Sequence, residues 1–380
     1  MVRVVEFIPT LNTGGAESMI RDYCLLLNRE IIDVKVVVMA ERMNSAIEKR
    51  LSETGVDVVY LGEHIYPGDK ALNIFQKVIR FIGRYICFRK IVDEFKPDVI
   101  HCHLHVGNYF KFIPLKKLKC RLILTVHNVT QRYFDKTGKN KAKYREYKEV
   151  YRLIHRHGMQ LVALHSSMNE ELRDFFETDN VITVYNGIDT ERFDPCLYDS
   201  STARTKIGFK DTSFVIGNVG RLHEQKNHEL ILKVFRKVKE VISDSKLILI
   251  GSGELEQTIR NRIEEYGLAA DVLMLSNRDD IPELMAAMDV FLFPSLWEGF
   301  GNVLIEAQCM GLPCVISQVI PNDVIISNGV RVCDLDSSID EWSKQVIECK
   351  DILVKTDEVI RKEFDIRNSV RKLESIYCGE

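Results

Sequence analysis

The stretch that decides the fold is VFLFPSLWEGFGNVLIEAQCMGLPCVIS, residues 290–317. It opens with an apolar run typical of a buried strand (290–295) and turns through Gly-Phe-Gly. A helical segment then starts near Asn302, and a second apolar run follows at 313–317. A strand, a helix and a strand in this order are typical of parallel strands joined by a crossover helix. The sequence therefore predicts an α/β protein.

The same alternation covers the rest of the chain and restarts once. The predicted strands are 2–9, 34–40, 56–61, 98–103, 121–127, 160–165 and 181–186, and then 213–220, 246–251, 272–276, 290–295 and 313–317. Between the two sets, residues 186–208 are rich in Gly, Pro, Asp and Ser and show little periodicity. A chain of 380 residues also favours two domains. We place them at 1–188 and 189–360, followed by an amphipathic helix at 361–380.

Composition narrows the class of protein. The net charge of −3 argues against a nucleic-acid binder that depends on bulk charge. The ten cysteines include no C-x-x-C pair, which argues against a zinc site. The first residues read as a strand rather than a signal peptide, and no apolar run is long enough to span a bilayer. We therefore expect a cytoplasmic protein, which leaves room for peripheral binding to the inner face of the cell membrane.

Two motifs that follow predicted strands suit an anionic ligand. In TLNTGGAE (10–17), Gly14 and Gly15 precede a helix and would allow a close backbone approach to a phosphate or a sugar. A plain glycine turn is the alternative. In GNVGRLHEQKN (217–227), Arg221 and Lys226 place two cations at a helix start. A solvated loop is the alternative there. Neither motif is G-x-G-x-x-G, which disfavours a dinucleotide-dependent dehydrogenase.

A third motif combines two carboxylates with a helix start. Glu298 precedes the Gly-Phe-Gly turn, and Glu306 lies about one turn inside the following helix. The N–H groups of residues 301–304 lie between them and point at the position of an anion. One carboxylate can bind hydroxyls on one side of a phosphate group, and the other can bind hydroxyls on the far side. This pattern fits a sugar nucleotide.

Several motifs together resemble a known family. GGAE (14–17), NGID (186–189), GRL (220–222), GSGEL (251–255), NRDDIPEL (277–284) and the Glu298–Glu306 block occur in this order. In this combination the chain resembles the family 4 retaining glycosyltransferases of GT-B fold, in particular the branch that builds bacterial capsular polysaccharides and exopolysaccharides. The resemblance implies two Rossmann-like domains that face each other across a cleft, with the last helix returning to the first domain.

The resemblance also implies roles for individual residues. Catalytic roles fall on His127, Arg221, Lys226 and Glu298, and donor-binding roles on Gly14, Gly15, Asn277, Arg278, Gly299, Phe300, Gly301, Asn302, Val303, Leu304 and Glu306. Glu298 would bind hexose hydroxyls, Glu306 the ribose, and the 277–278 segment the nucleobase. No metal and no cofactor are implied, because the cations and the helix start would hold the diphosphate. The segment 316–329, with Asp323, departs from the family pattern.

Four histidines at strand ends are further candidates for sugar binding or for a metal site. His127 ends a strand, and the resemblance implies that it reaches the transferred sugar, although a lone histidine there is otherwise typical of a core residue. His101, His103 and His105 alternate at the end of another strand, so they share one face. This alternation leaves a metal site open. Lining of the cleft fits the resemblance better, with His103 as the acceptor-binding residue.

The implied reaction transfers a hexosyl or N-acetylhexosaminyl unit from a nucleoside-diphosphate sugar, with UDP-sugar as the expectation, to a glycan or lipid-linked saccharide. Residues 70–148 hold 19 Lys and Arg against 5 Asp and Glu. This stretch is either a solvated face or a surface for anionic lipid headgroups. Its interleaved apolar residues are Phe75, Ile79, Phe81, Tyr85, Phe110, Phe112 and Leu115. A sugar-nucleotide epimerase of the same fold and a non-catalytic sugar-nucleotide or glycan-binding partner remain the alternatives.

Overall fold

The structure is a computed structural model that describes all residues except 13, 65–72, 105–109, 111–118, 353 and 355–357. The chain divides into two compact units. Unit 1 contains Met1–Asn186 and Ile366–Glu380, and unit 2 contains Gly187–Asp365. The sequence places these two boundaries after residues 188 and 360.

Unit 1 is built on one parallel sheet. Its strands are β1 (Val2–Ile8), β2 (Ile32–Val38), β3 (Asp57–Tyr60), β4 (Val99–His103), β5 (Arg121–Thr125), β6 (Gln160–Ala163) and β7 (Val181–Thr183). Its helices up to residue 186 are α1 (Gly15–Leu26), α2 (Ala46–Glu53), α3 (Ile74–Phe95), α4 (Thr130–Tyr133), α5 (Lys141–His157) and α6 (Ser166–Phe176). The strand order is β3-β2-β1-β4-β5-β6-β7. Asn73 and Gln76 form a capping box that starts α3 at Ile74.

Unit 2 is built on a second parallel sheet. Its strands are β8 (Phe214–Val219), β9 (Ser245–Ile250), β10 (Val272–Leu275), β11 (Val290–Phe293), β12 (Cys314–Ser317) and β13 (Val330–Cys333), in the order β10-β9-β8-β11-β12-β13. Its helices are α7 (Ser200–Lys206), α8 (His228–Val241), α9 (Glu256–Glu265), α10 (Ile281–Ala286), α11 (Asn302–Cys309), α12 (Ile339–Glu348) and α13 (Glu358–Glu363). The sequence misses β13, a four-residue strand that pairs only at the edge of the sheet with β12.

The last helix, α14 (Ile366–Cys378), packs in unit 1. Side chains alternate between the two faces of β1, since successive residues of a strand point to opposite sides. On one face, Phe7 stacks on Phe88 of α3, with ring centroids 4.6 Å apart. On the other face, Tyr377 of α14 donates a hydrogen bond to Glu6. The sheet of unit 1 therefore lies between α3 on one side and α14 on the other.

The strand orders locate the ligand edges of the two sheets. Strand order reverses between β1 and β4 in unit 1 and between β8 and β11 in unit 2. In open parallel sheets, ligands bind beyond the carboxyl ends of the strands at such a reversal. The predicted motifs follow these strands: Gly14 comes after β1, Lys226 after β8 and Glu298 after β11, while His103 ends β4.

No helix within the described ranges has both the length and the hydropathy needed to cross a lipid bilayer.

Candidate functional site

A buried ion pair lies at the strand reversal of unit 2. The ammonium Nζ of Lys226 lies 2.5 Å from Oε1 of Glu298, and the Ser295 hydroxyl donates to the same oxygen at 2.7 Å. The side chains of Lys226 and Glu298 are only 13 % and 7 % exposed. The ammonium also lies 4.5 Å from the centroid of the Phe293 ring. Two residues predicted from separate motifs are thus brought together, and each compensates the buried charge of the other.

The helix α11 starts directly after this pair. Its N-cap residue Gly301 has a left-handed backbone with φ of 89°, which favours glycine. The N–H of Leu304, predicted to bind phosphate, donates to the Gly301 carbonyl at 2.8 Å. Glu306 lies one turn into the helix and is half-buried. The helix start therefore adds partial positive charge beside the Lys226–Glu298 pair.

The Arg221 loop is supported by two glycines. A Cβ on Gly251 would lie 2.0 Å from the Gly220 carbonyl oxygen, and one on Gly253 would lie 2.4 Å from the Leu222 carbonyl oxygen. Only residues without a side chain allow the 251–253 turn to approach so closely. Arg221 is exposed at this loop.

The predicted nucleobase segment is exposed. Asn277 has a left-handed backbone with φ of 53°. Arg278 donates through Nε to Oδ1 of Asp280 at 2.7 Å, and this hydrogen bond holds the pKa of Asp280 below its usual value. The sequence predicts that the Asp279–Asp280 pair caps α10. Asp280 does occupy the N-cap position, but its side chain makes no capping hydrogen bond because it pairs with Arg278.

The glycine motif of unit 1 lies at the start of α1. Gly14 is the N-cap residue, and its φ of −178° is extended backbone that any residue can adopt. A Cβ on Gly15 would meet no atom within 4 Å. Local packing therefore does not explain why glycine occupies position 15.

A buried polar network lies at the strand reversal of unit 1. The strand register pairs Glu6 with His101 and His103 with Thr125. These four side chains are 1–3 % exposed. His103 hydrogen-bonds through Nε2 to Oε2 of Glu6 at 2.7 Å and through Nδ1 to Nε2 of His127 at 2.9 Å. The predicted acceptor-binding and catalytic histidines are thus in direct contact.

The same network extends to the last helix. His101 contacts the hydroxyl of Tyr377 through Nδ1 at 2.6 Å and the hydroxyl of Thr125 through Nε2 at 2.7 Å. Tyr377 donates to Oε1 of Glu6 at 2.7 Å. Glu6, His101 and His103 could hold a metal ion, since their ligand atoms lie within 4.8 Å of one another. Those atoms are joined by the hydrogen bonds just given. His105 lies outside the described residues.

Comparisons with known proteins now decide the family. Residues 13–192 match the model "Glycosyltransferase Family 4", and residues 199–359 match "Glycosyl transferases group 1". The chain is 30 % identical over 275 residues to the UDP-Gal:alpha-D-GlcNAc-diphosphoundecaprenol alpha-1,3-galactosyltransferase of Escherichia coli, covering 69 % of this chain and 70 % of that enzyme. The chain belongs to glycosyltransferase family 4. It is also 37 % identical over 171 residues to the putative glycosyltransferase EpsF of Bacillus subtilis, covering 45 % and 44 % of the two chains.

Solved structures show that this family 4 glycosyltransferase has the GT-B fold. Anabaena HepE in complex with UDP-glucose matches with a TM-score of 0.78 at 17 % identity, and the match covers 100 % of both chains. WaaG, a glycosyltransferase involved in lipopolysaccharide biosynthesis, matches with a TM-score of 0.75 at 16 % identity, again over 100 % of both chains. The expected family and the expected fold are both confirmed.

Sequence reasoning missed residues that support these sites. Gln308 of the glycosyltransferase is fully buried, although glutamine is polar. Its amide nitrogen donates to the Val324 carbonyl at 2.8 Å, and its oxygen accepts from the N–H groups of Ile326 and Ser327, each at 2.9 Å. It thereby fixes part of the divergent 316–329 segment, in which Asp323 lies in a short 3-10 turn. A polar residue on the apolar face of α11 is the signal that could have identified it.

Proposed function

We propose that this glycosyltransferase transfers a hexosyl or N-acetylhexosaminyl unit, with retention of anomeric configuration, from a UDP-sugar to a glycan or lipid-linked saccharide in the synthesis of a cell-surface polysaccharide. The observation that carries the proposal is the buried Lys226–Glu298 pair beside the start of α11. The names of the relatives support it: the E. coli enzyme uses UDP-Gal and a diphosphoundecaprenol-linked sugar, and HepE is solved with UDP-glucose.

The proposed chemistry uses the charges of unit 2. The bond between the anomeric carbon and the diphosphate breaks, and the electron pair leaves with the phosphate oxygen. The oxygen of the acceptor hydroxyl bonds to the anomeric carbon on the same face, and its proton passes to the departing phosphate oxygen. Lys226, Arg221 and the start of α11 stabilise this developing charge. Such electrostatic stabilisation of the transition state is the largest contribution to the rate acceleration in many enzymes. No divalent ion is needed in this scheme. We expect activity to persist in EDTA.

The carboxylates bind the two polyol ends of the donor in this proposal. Oε1 of Glu298 accepts from Lys226 and Ser295, and no donor from the described part of the chain reaches Oε2. Oε2 is the oxygen that accepts hexose hydroxyls. Glu306 binds the ribose hydroxyls, and residues 277–278 contact the base. His127 has the catalytic role that the resemblance implies.

The experiment is a thermal-shift screen with UDP-, GDP- and ADP-sugars, followed by measurement of nucleotide release with and without a lipid-linked acceptor. We expect UDP-sugars to raise the melting temperature and the acceptor to accelerate UDP release. No stabilisation by any nucleotide sugar would refute the proposal. Release of UDP and free sugar at the same rate without acceptor would favour the epimerase, and binding without turnover would favour the non-catalytic partner.

Peripheral contact with the inner face of an anionic membrane is a second part of the proposal. Part of α3 exposes large apolar side chains: Ile74, Phe75, Val78, Ile79, Ile82 and Ile86. Lys77, Arg89 and Lys90 of the same helix are also exposed. An apolar stripe with flanking cations fits a surface of anionic lipid headgroups.

The structure revises the residues that the sequence offers for this contact. Phe110 is fully buried, because its ring packs edge-on against Phe7 and Phe88. It is therefore a core residue, and the prediction that it faces a membrane is wrong. Phe112 and Leu115 lie outside the described residues.

Vesicle flotation at low salt tests the membrane contact. We expect the wild-type protein to float with vesicles that contain anionic phospholipid, and the Phe75→Ser/Ile82→Ser variant to stay in the soluble fraction. Leu197→Ser is the matched control, since Leu197 is 64 % exposed in unit 2. Equal flotation of all three proteins would exclude α3 as the contact surface.

A further inference from the structure

The hydrogen bonds of unit 1 form one continuous path from the interior of the sheet to its carboxyl edge. Glu6 lies two residues before the end of β1, His103 ends β4, and His127 lies two residues beyond β5. The contacts run from Oε2 of Glu6 to Nε2 of His103, and from Nδ1 of His103 to Nε2 of His127. The path therefore connects a fully buried carboxylate to a partly buried imidazole at the edge where ligands of this fold class bind.

Counting protons fixes the direction of the hydrogen bonds that Glu6 and Tyr377 make. An ionised carboxylate can only accept, so Tyr377 donates to one oxygen of Glu6 and His103 donates to the other. The single hydroxyl proton of Tyr377 is then used, so the tyrosine oxygen accepts from Nδ1 of His101. Nε2 of the same histidine contacts the Thr125 hydroxyl. Each hydrogen bond to Glu6 then has one donor and one acceptor when Glu6 is ionised.

The ionisation states agree with this count. Burial by itself raises the pKa of Glu6, but His101 and His103 outweigh it and hold that pKa below its usual value. Burial, together with the neighbouring His101, lowers the pKa of His103 to about 4. Burial and His103 lower the pKa of His127 well below its usual value. At neutral pH the carboxylate is charged and both of these histidines are neutral.

The same proton count determines the direction of the hydrogen bond between His103 and His127. A neutral His103 that donates through Nε2 has a bare Nδ1, which must accept the proton of Nε2 of His127. A neutral His127 protonated at Nε2 has a bare Nδ1. No group in the described part of the chain hydrogen-bonds to this nitrogen, so it remains available to a ligand.

We infer that Glu6 and His103 are positioning residues that hold His127 in its Nε2-protonated tautomer, so that Nδ1 acts only as an acceptor for a hydroxyl of a bound sugar. This inference rests on the proposed role of His127 at the sugar. A fixed acceptor makes the site selective, because a sugar that presents no hydroxyl donor there leaves a polar nitrogen without a partner.

Nitrogen-15 NMR of histidine-labelled full-length protein tests the tautomer directly. At neutral pH we expect the His127 signals of a protonated Nε2 and a bare Nδ1. Addition of UDP-glucose, UDP-galactose or UDP-N-acetylglucosamine should shift the Nδ1 resonance when its hydroxyl donates to that nitrogen. A His127 that is charged, or protonated at Nδ1, in the free wild-type protein would overturn the inference.

Two variants separate positioning from a merely structural role. Glu6→Leu/His103→Phe removes the path, while Tyr377, His101 and Thr125 can still satisfy one another by reversing their bonds. We expect a mixture of His127 tautomers, a 10- to 100-fold lower kcat for UDP release and a smaller change in KM. Tyr377→Phe is the control, since it removes a bond to the other oxygen of the same carboxylate. It should leave the His127 tautomer unchanged and kcat within about threefold.

The outcomes distinguish this inference from the proposed function. If Tyr377→Phe lowered kcat as much as the double variant, the network would be structural and the inference would fail. One zinc ion per chain in purified protein would also overturn it, because a metal would occupy Nε2 of His103. If no UDP-sugar raised the melting temperature, the proposed function would fail, whereas the free-protein spectrum would still report the tautomer.

Discussion

Removal of Lys226 should lower both stability and activity, for two separable reasons. Lys226→Met leaves Glu298 buried at 7 % exposure, with the Ser295 hydroxyl as its remaining hydrogen-bond donor among the described residues. Breaking a buried pair in this way lowers the free energy of unfolding by about 3–5 kcal/mol. For a unit of this size, a loss of about 3 kcal/mol lowers Tm by roughly 6–12 °C. Loss of comparable charge stabilisation in the transition state lowers kcat about 100-fold.

A double variant separates the two effects. Lys226→Met/Glu298→Gln removes the unpaired charge, so Tm should return to within about 2–4 °C of wild type, which corresponds to about 1 kcal/mol. Activity should stay at least as low as in the single variant. Lys206→Met is the matched control, because Lys206 pairs with Glu283 at the surface of the same unit and such pairs contribute about 0–1 kcal/mol.

Differential scanning fluorimetry and UDP release measure the two quantities on the same preparations. Our reasoning would be refuted if the double variant were as unstable as Lys226→Met, since the destabilisation would then not arise from the unpaired carboxylate. It would also be refuted if the double variant regained wild-type activity.

Three further predictions address single positions. Gly15→Ala should leave Tm unchanged, because the added Cβ meets no atom within 4 Å. It should weaken donor binding if the backbone at this position contacts phosphate. Unchanged donor affinity would remove Gly15 from the site. Gly251→Ala should destabilise unit 2 far more than Gly301→Ala. A Cβ on Gly251 would lie 2.0 Å from a carbonyl oxygen, which requires the backbone to move. A Cβ on Gly301 would lie 3.6 Å from Phe293, so that variant loses only the strain energy of a positive φ, about 1 kcal/mol. Equal losses of Tm would contradict this difference. Burial, with the neighbouring Lys226, lowers the pKa of His228 to about 4. As the pH falls below about 6.5, this histidine is therefore protonated in the unfolded state while it is still neutral in the folded state. The free energy of unfolding, measured by urea titration, should therefore fall by about 2 kcal/mol from pH 7 to pH 5. His228→Leu should remove this contribution to the pH dependence of stability. An identical pH profile in the variant would exclude His228 as its source.

Local patterns predicted the elements and the motifs well. Apolar runs and their spacing predicted twelve of the described strands, because burial on both faces of a parallel sheet requires continuous apolar sequence. The edge strand β13 was missed, since it has only four residues, contains Arg331 and is buried only at Cys333. Phe110 was misassigned because an aromatic residue among lysines looks exposed in the sequence, while its burial depends on Phe7 and Phe88.

By itself, the sequence determined the alternation of strands and helices, the two units and the family motifs, because these depend on residues close together in the chain. Only the tertiary structure decided which charges meet. Lys226 and Glu298 are 72 residues apart, and Glu6 and Tyr377 are 371 apart. The physical reason is that crossover helices place β11 beside β8 and β4 beside β1, and return the last helix to the first sheet. Strand order, rather than chain order, selects the partners of a buried charge.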